Sequence, residues 1–282
     1  MQLGSWQLDT ASGGTARIDG GTMFGVVPKP LWEKLQPADE LNRIRMACNC
    51  VLARDGEHTV LIDTGYGGKA SDKERELMDL EPGAPLEASL ETLGVALADV
   101  DTVVFSHLHF DHAGGATRYD DQGRLELTFP GARHFVARTE WKIATSGAAE
   151  LRGAYPTEHF LPIAESNQLE LFDDNAEILP GLRALWTGGH TRGHHALIFE
   201  SQGQTAIYPG DLCPMAAHVR SHWGMAYDTD PLATRRRKPE VLGRAADDSW
   251  WVLWDHDPDH AACRLARDDK REFVVTEALP VL

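Results

Sequence analysis

His107-Leu108-His109-Phe110-Asp111-His112 places four potential metal ligands within six residues, directly after the apolar run Val103-Val104-Phe105. The apolar run reads as a buried strand. A loop leaving its end can aim His107, His109, Asp111 and His112 into one cleft. Imidazole nitrogen suits zinc and related divalent ions, and carboxylate oxygen admits harder ones. An isolated His-x-His more often caps a strand or satisfies a core hydrogen bond. This density of ligands, with Gly114-Gly115 behind it, points instead to a metal site.

A two-metal centre needs further ligands, and three candidates lie downstream. His190 sits in Thr187-Gly188-Gly189-His190-Thr191-Arg192-Gly193-His194. Asp211 ends Ile207-Tyr208-Pro209-Gly210-Asp211, again a strand running into a turn, and His256 follows the apolar run Trp250-Trp251-Val252-Leu253-Trp254. Glycines beside such residues let the backbone approach a ligand closely.

The order His-x-His-x-Asp-His, then His, Asp and His at strand ends, resembles the motif set of the metallo-β-lactamase fold. Asp63 in Val60-Leu61-Ile62-Asp63-Thr64-Gly65 matches that superfamily's early supporting aspartate. The resemblance implies an α/β protein, an αββα sandwich of two mixed β-sheets flanked by helices, with ligands on loops along one edge. One such domain would fill residues 1–282. It also implies two divalent metal ions, zinc first, with manganese, iron or cobalt as alternatives. His107, His109 and His190 would hold one metal, Asp111, His112 and His256 the other, and Asp211 would bridge them.

A narrower likeness begins at Asp19-Gly20-Gly21-Thr22-Met23-Phe24-Gly25-Val26-Val27-Pro28-Lys29-Pro30-Leu31-Trp32. This stretch resembles the N-terminal signature of the YtnP-like quorum-quenching lactonases. The likeness continues through His107–Gly115, Phe129-Pro130, Thr187–His194, Ala226-Tyr227-Asp228 and His256-Asp257. It implies a small-molecule substrate, an N-acyl homoserine lactone or related ester, whose ring is opened by water activated at the metals. Asp111 would also orient that water or accept its proton. In better-known lactonases a tyrosine stands shortly after the bridging aspartate; here the third residue after Asp211 is Pro214, and Tyr227 is the substitute candidate. In the resembling enzymes residues 23–37 lie over the active site, so Met23, Phe24, Val26, Val27 and Trp32 are candidates to touch an acyl chain, and this apolar loop hints at a homodimer contact.

Two other hydrolases share the metal motif. The lactonase subgroup is similar to methyl-parathion-hydrolase-type phosphotriesterases and arylesterases, and the eight tryptophans permit an aromatic leaving-group pocket. A glyoxalase II-like thioesterase grips glutathione with a basic C-terminal helical region, and residues 257–282 carry no such cluster.

Composition narrows the partners. The formal net charge of −16, from 27 basic and 43 acidic residues, repels phosphate backbones and argues against nucleic acid. The one basic run, Arg235-Arg236-Arg237-Lys238, reads as a solvated stretch of a helix over Pro231–Ala246. Four cysteines, Cys48, Cys50, Cys213 and Cys263, read as free thiols of a reducing compartment. Neither a secretory signal nor a membrane-length apolar stretch is visible, so a cytoplasmic protein is expected.

Along the chain, residues 1–20 with Gly13-Gly14 read as a hairpin, and residues 23–37 as loop and short helix. Strands are expected at 44–54, 58–63, 101–105, 169–172 and 182–186, with 195–200 paired to 204–208. A surface helix and loop are expected at 71–85, and helices at Leu86–Leu97 from the three- and four-residue leucine spacing and at Arg138–Thr145. His218 and His222 suit pocket or supporting roles. His194 and His195 read as structural, and His58, His134, His159 and His260 as surface or core residues.

Overall fold

The computed structural model describes residues 1–151 and 153–281. The first sheet opens with β1 (Gln2–Leu3), β2 (Trp6–Asp19), β3 (Arg43–Arg54), β4 (Thr59–Ile62) and β5 (Thr102–Val104). A small antiparallel pair, β6 (Thr117–Tyr119) and β7 (Leu125–Leu127), stands apart before β8 (Arg133–Ala137) and β9 (Leu169–Phe172) complete that sheet. The second sheet contains β10 (Glu177–Leu179), β11 (Leu182–Trp186), β12 (His195–Ser201), β13 (Gln204–Tyr208), β14 (Trp251–Leu253), β15 (His260–Asp268) and β16 (Glu272–Pro280). Both sheets have seven strands and both are mixed: β4, β5, β8 and β9 run parallel, as do β13 and β14, and the remaining pairs are antiparallel.

Side-chain alternation along the strands builds the layers. Val51, Ala53, Val60, Ile62, Val104 and Phe135 face Leu182, Ala184, Leu197, Phe199, Ala206 and Tyr208 across the gap between the sheets. Their neighbours Leu52, Leu61, Val103 and Val136 turn outward onto Leu86, Leu90, Phe160 and Ile163. On the far side Ile198, Ile207 and Val252 pack against Val241, Leu242 and Ala245 of the helix Pro231–Asp247. The order is therefore helix, sheet, sheet, helix. Strands covered on both faces read as continuous apolar runs, which is why 60–62 and 103–105 are so conspicuous in the sequence. Among the described residues, no helix is long and apolar enough to cross a membrane.

Three local expectations change. Gly13-Gly14 makes no hairpin turn, because β2 runs straight through it. Ser12 pairs with Asn49 and Thr15 with Ala47, so the two glycines oppose the single residue Cys48 as a bulge. There Gly13 packs on the Gly65 turn so closely that a Cβ at position 13 would sit 2.7 Å from the Gly65 Cα. The true hairpin turn is Gly4-Ser5, between β1 and β2.

The leucine-spaced helix covers only Pro85–Thr92, since Gly94 takes a φ of +72° and turns the chain away. In the basic run, Lys238 is fully buried rather than solvated, its ammonium donating to the carbonyls of His218 and Trp223 at 3.0 and 2.6 Å.

The parallel pairs set up the site. Chain leaving β4 and β5 in one sheet, and β13 and β14 in the other, emerges at a common edge. The loop joining β11 to β12 returns there too, because β12 is antiparallel to β13.

Candidate metal centre

Asp63 follows β4 and adopts a left-handed φ of 56° that turns its carboxylate under the neighbouring loop. The carboxylate accepts from Ser106 N (2.8 Å), Ser106 Oγ (2.6 Å) and Tyr208 Oη (2.9 Å), and lies 2.9 Å from His112 Nδ1. Because Ser106 gives its only hydroxyl proton to Asp63, its oxygen is free to accept from His107 Nδ1 at 3.1 Å. His190 Nδ1 lies 3.0 Å from Asp228 Oδ1, and His256 Nδ1 lies 2.7 Å from the Ala47 carbonyl. In each of these four rings Nδ1–H is held from behind, which leaves the Nε2 lone pair pointing inward. His109 is turned the other way and presents Nδ1, 3.0 Å from the Nε2 atoms of both His107 and His190.

The inward atoms fall into two groups that share Asp211. His107, His109, His190 and Asp211 bring one donor atom each to within 4.8 Å of the others, and so do His112, Asp211, Asp255 and His256. Asp211 Oδ2 is 2.9 Å from His190 Nε2 and 3.7 Å from His107 Nε2, while its Oδ1 is 3.2 Å from His256 Nε2. Asp111 stands at the rim, 3.9 Å from His112 Nε2 and 3.7 Å from His256 Nε2, and shares a third grouping with His256 and Cys48.

Electrostatics follow from burial and the carboxylates. Burial and the neighbouring imidazoles hold His107 and His109 well below the usual histidine range. Burial also opposes a charge on His112 and His190, but Asp111 and Asp63 outweigh it at His112, raising it to about 9, and Asp211 and Asp228 raise His190 to about 10. Burial would raise Asp211, yet His190 and His256 draw it well below the carboxylate range. The Cys48 thiol is pushed up by burial to about 12. Asp255 is 1% exposed and neither of its oxygens meets a hydrogen-bond donor among the described residues. Imidazole nitrogens converging beside buried carboxylates, one of them without a donor among the described residues, form a set that suits divalent cations.

Six of the seven expected ligands therefore converge closely, and Asp111 borders them. The other expectations divide. Tyr227 exposes 42% of its surface but turns its hydroxyl inward, donating to Met23 Sδ at 2.8 Å, with its ring edge-on to His190 at 5.7 Å. Burial of that hydroxyl, with Asp211 and Asp111 nearby, pushes the phenol well above its ordinary value.

Met23, Phe24, Val27 and Trp32 are buried in a cluster of their own, whereas Val26 is exposed; only Met23 is thereby tied to Tyr227. His218 stacks face to face on Phe24 at 4.4 Å and bonds the Met23 carbonyl, and His222 lies near Glu272. His194 bonds Thr187 Oγ1 and His195 the Gly193 carbonyl. All four cysteines are free and buried.

Sequence reasoning passed over three carboxylates. Asp255 separates the apolar run Trp250–Trp254 from His256, and Asp228 lies inside the quoted Ala226-Tyr227-Asp228, so both had a local signal. Glu140 had none. It is fully buried and accepts from Leu108 N, Tyr155 Oη and Thr191 Oγ1, tying the loop of His107–His112 to that of His190.

Comparison with known proteins agrees with this geometry. Residues 43–274 match the model of the metallo-beta-lactamase superfamily. An N-acyl homoserine lactonase of Bacillus cereus is 26% identical over 171 residues, 57% of this chain and 61% of that protein, so the match spans less than two thirds of the relative's length. The N-acyl homoserine lactonase AttM of Agrobacterium fabrum is 25% identical over 221 residues, 73% of this chain and 76% of its own. The crystal structure of a probable metal-dependent hydrolase from Staphylococcus aureus superposes with a TM-score of 0.89 at 32% identity, covering 99% of this chain and 100% of that one. AidC, a dizinc quorum-quenching lactonase solved with the product N-hexanoyl-L-homoserine, shares the fold at a TM-score of 0.80, 21% identity, and 98% and 95% coverage.

Proposed function

The chain belongs to the metallo-beta-lactamase superfamily, and from that premise we propose that it hydrolyses the lactone ring of N-acyl homoserine lactones. The observation that carries the reading is the shared carboxylate of Asp211, set between a three-histidine group and a His112–His256 group, in a chain whose relatives include named lactonases. Two divalent ions held there would polarise the ester carbonyl and supply a nucleophilic water at neutral pH.

The protein's own groups do the rest. Asp63, Asp228, Ser106 and the Ala47 carbonyl fix the rings so that no reorganisation is needed as charge develops. Asp111, at the rim, orients the attacking water and takes its proton. The water oxygen bonds to the acyl carbon and the ring C–O bond breaks. The ring oxygen leaves as an alcohol after receiving a proton, and the new acid ionises. Tyr227 donates to that oxygen: its present partner is a thioether, a weak acceptor that a substrate oxygen displaces.

One structural fact favours this over the thioesterase. Residues 260–280 form the β15–β16 hairpin of the second sheet and not a separate helical domain for glutathione. Phosphotriesters are the remaining competitor. The test is ring opening of short- and long-chain N-acyl homoserine lactones by metal-replete protein, followed by mass spectrometry, with paraoxon and S-lactoylglutathione alongside. Lactone turnover well above both, abolished by chelator and by His109→Ala, supports the reading. Closed lactones with turnover of either control refute it.

A further inference from the structure

Asp255 leaves β14 one residue before His256, and its backbone is held in place: its carbonyl accepts from Asn49 N at 2.6 Å. That anchoring aims the side chain inward, where Oδ2 lies 3.7 Å from His256 Nε2 and one carboxylate oxygen lies within 4.8 Å of donor atoms of His112 and Asp211. Both oxygens are buried and lack a donor among the described residues. An unpaired carboxylate is strongly disfavoured in such a place, and a cation is the partner that removes the penalty.

We propose that Asp255 is an additional ligand of the second metal, making that subsite oxygen-rich and selective for harder divalent ions such as manganese. The inference rests on the dinuclear reading above and deepens it. With Asp255, the second subsite offers His112, His256, Asp111, Asp211 and Asp255, two nitrogens and three carboxylates. The first offers His107, His109, His190 and Asp211, three nitrogens and one carboxylate. Carboxylate donors suit manganese and imidazole suits zinc, so the two subsites differ in hardness although they share Asp211. Cys48 also lies beside Asp111 and His256, but sulfur is a soft donor and a poor partner for a hard ion.

The test is a manganese titration of the metal-free full chain, with free ion followed by electron paramagnetic resonance. Wild type binds manganese at the second subsite. His109→Ala, which removes a ligand of the first subsite only, lowers that affinity far less than His112→Ala, which removes a ligand of the second. Asp255→Asn weakens manganese binding about 10- to 100-fold, the range seen when a group supporting a metal site is removed, while the first equivalent of zinc still binds. Asp257→Asn is the control: its carboxylate accepts from Ala216 N and His260 N, and manganese affinity stays at the wild-type value.

Manganese bound equally by wild type and Asp255→Asn overturns the proposal, as does an equal loss in the His109 and His112 variants. If Asp255→Asn does not fold, Asp255→Ala takes its place, with the same expected loss and the same overturning result. A chain that binds no divalent ion in any form refutes the dinuclear reading itself, an outcome distinct from an ineffective Asp255 substitution.

Discussion

Asp228 Oδ1 lies 3.0 Å from His190 Nδ1, on the opposite side of the ring from Asp211. One carboxylate thus fixes the tautomer of a ring whose other nitrogen faces a second carboxylate. Asp228→Ala is expected to weaken metal retention by about 10- to 100-fold. Metal content after dialysis against graded chelator checks this, and a content equal to wild type contradicts it.

Glu140 couples the two ligand loops through three accepted hydrogen bonds. Glu140→Gln puts an amide N–H₂ where only donors converge, so it should cost about 1–3 kcal/mol. Chemical denaturation of the metal-free protein measures the loss without involving the ions.

In the proposed reaction the Tyr227 hydroxyl would protonate the departing oxygen, and Tyr227→Phe removes that proton while keeping the ring against His190. On lactone substrate kcat should fall by about 100-fold with KM nearly constant. A change confined to KM would make Tyr227 a binding residue.

His134 is buried against Phe105, and burial lowers its pKa to about 4. The folded state therefore holds a neutral ring that the unfolded chain protonates near its ordinary 6.5. That contribution is fully present above pH 6.5 and is lost as pH falls towards 4; with about 1.4 kcal/mol per unit, it amounts to roughly 3 kcal/mol. His134→Phe should lose less stability than wild type between pH 7 and 4.5, read from urea midpoints in matched buffers. Equal losses would assign the acid sensitivity elsewhere, for instance to His159, which burial lowers to about 3.

Lys238 holds the carbonyls of His218 and Trp223, and His218 in turn stacks on Phe24 and bonds the Met23 carbonyl above the site. Lys238→Met leaves two buried carbonyls unpaired and should cost roughly 2–4 kcal/mol. Hydrogen exchange over residues 215–226 should accelerate, whereas a solvated lysine would show neither effect.

The ligand-bearing loop at 107–112 could be read because its residues are adjacent, and the covered strands around it because two-sided burial writes an uninterrupted apolar run. The β15–β16 hairpin gave a weaker sign. Its outer strand is largely exposed beyond Phe273, so the apolar residues of Glu272–Pro280 do not alternate as a half-buried strand would, and no strand is expected there. Gly13-Gly14 misled for a related reason, since two glycines serve a bulge as well as a turn, and only the approach of the Gly65 turn distinguishes them.

By itself the sequence determined the order of strands that feed the site, the imidazoles and carboxylates they carry, and the net charge of −16. Packing alone decided which polar groups turn inward. Asp255 carries only the faint sign of standing between an apolar run and His256, and Lys238 stands among arginines with nothing local to separate it from solvated side chains. They are buried because strands and helices distant in sequence close over them, and a buried charge must then find its partners in whatever tertiary contact supplies.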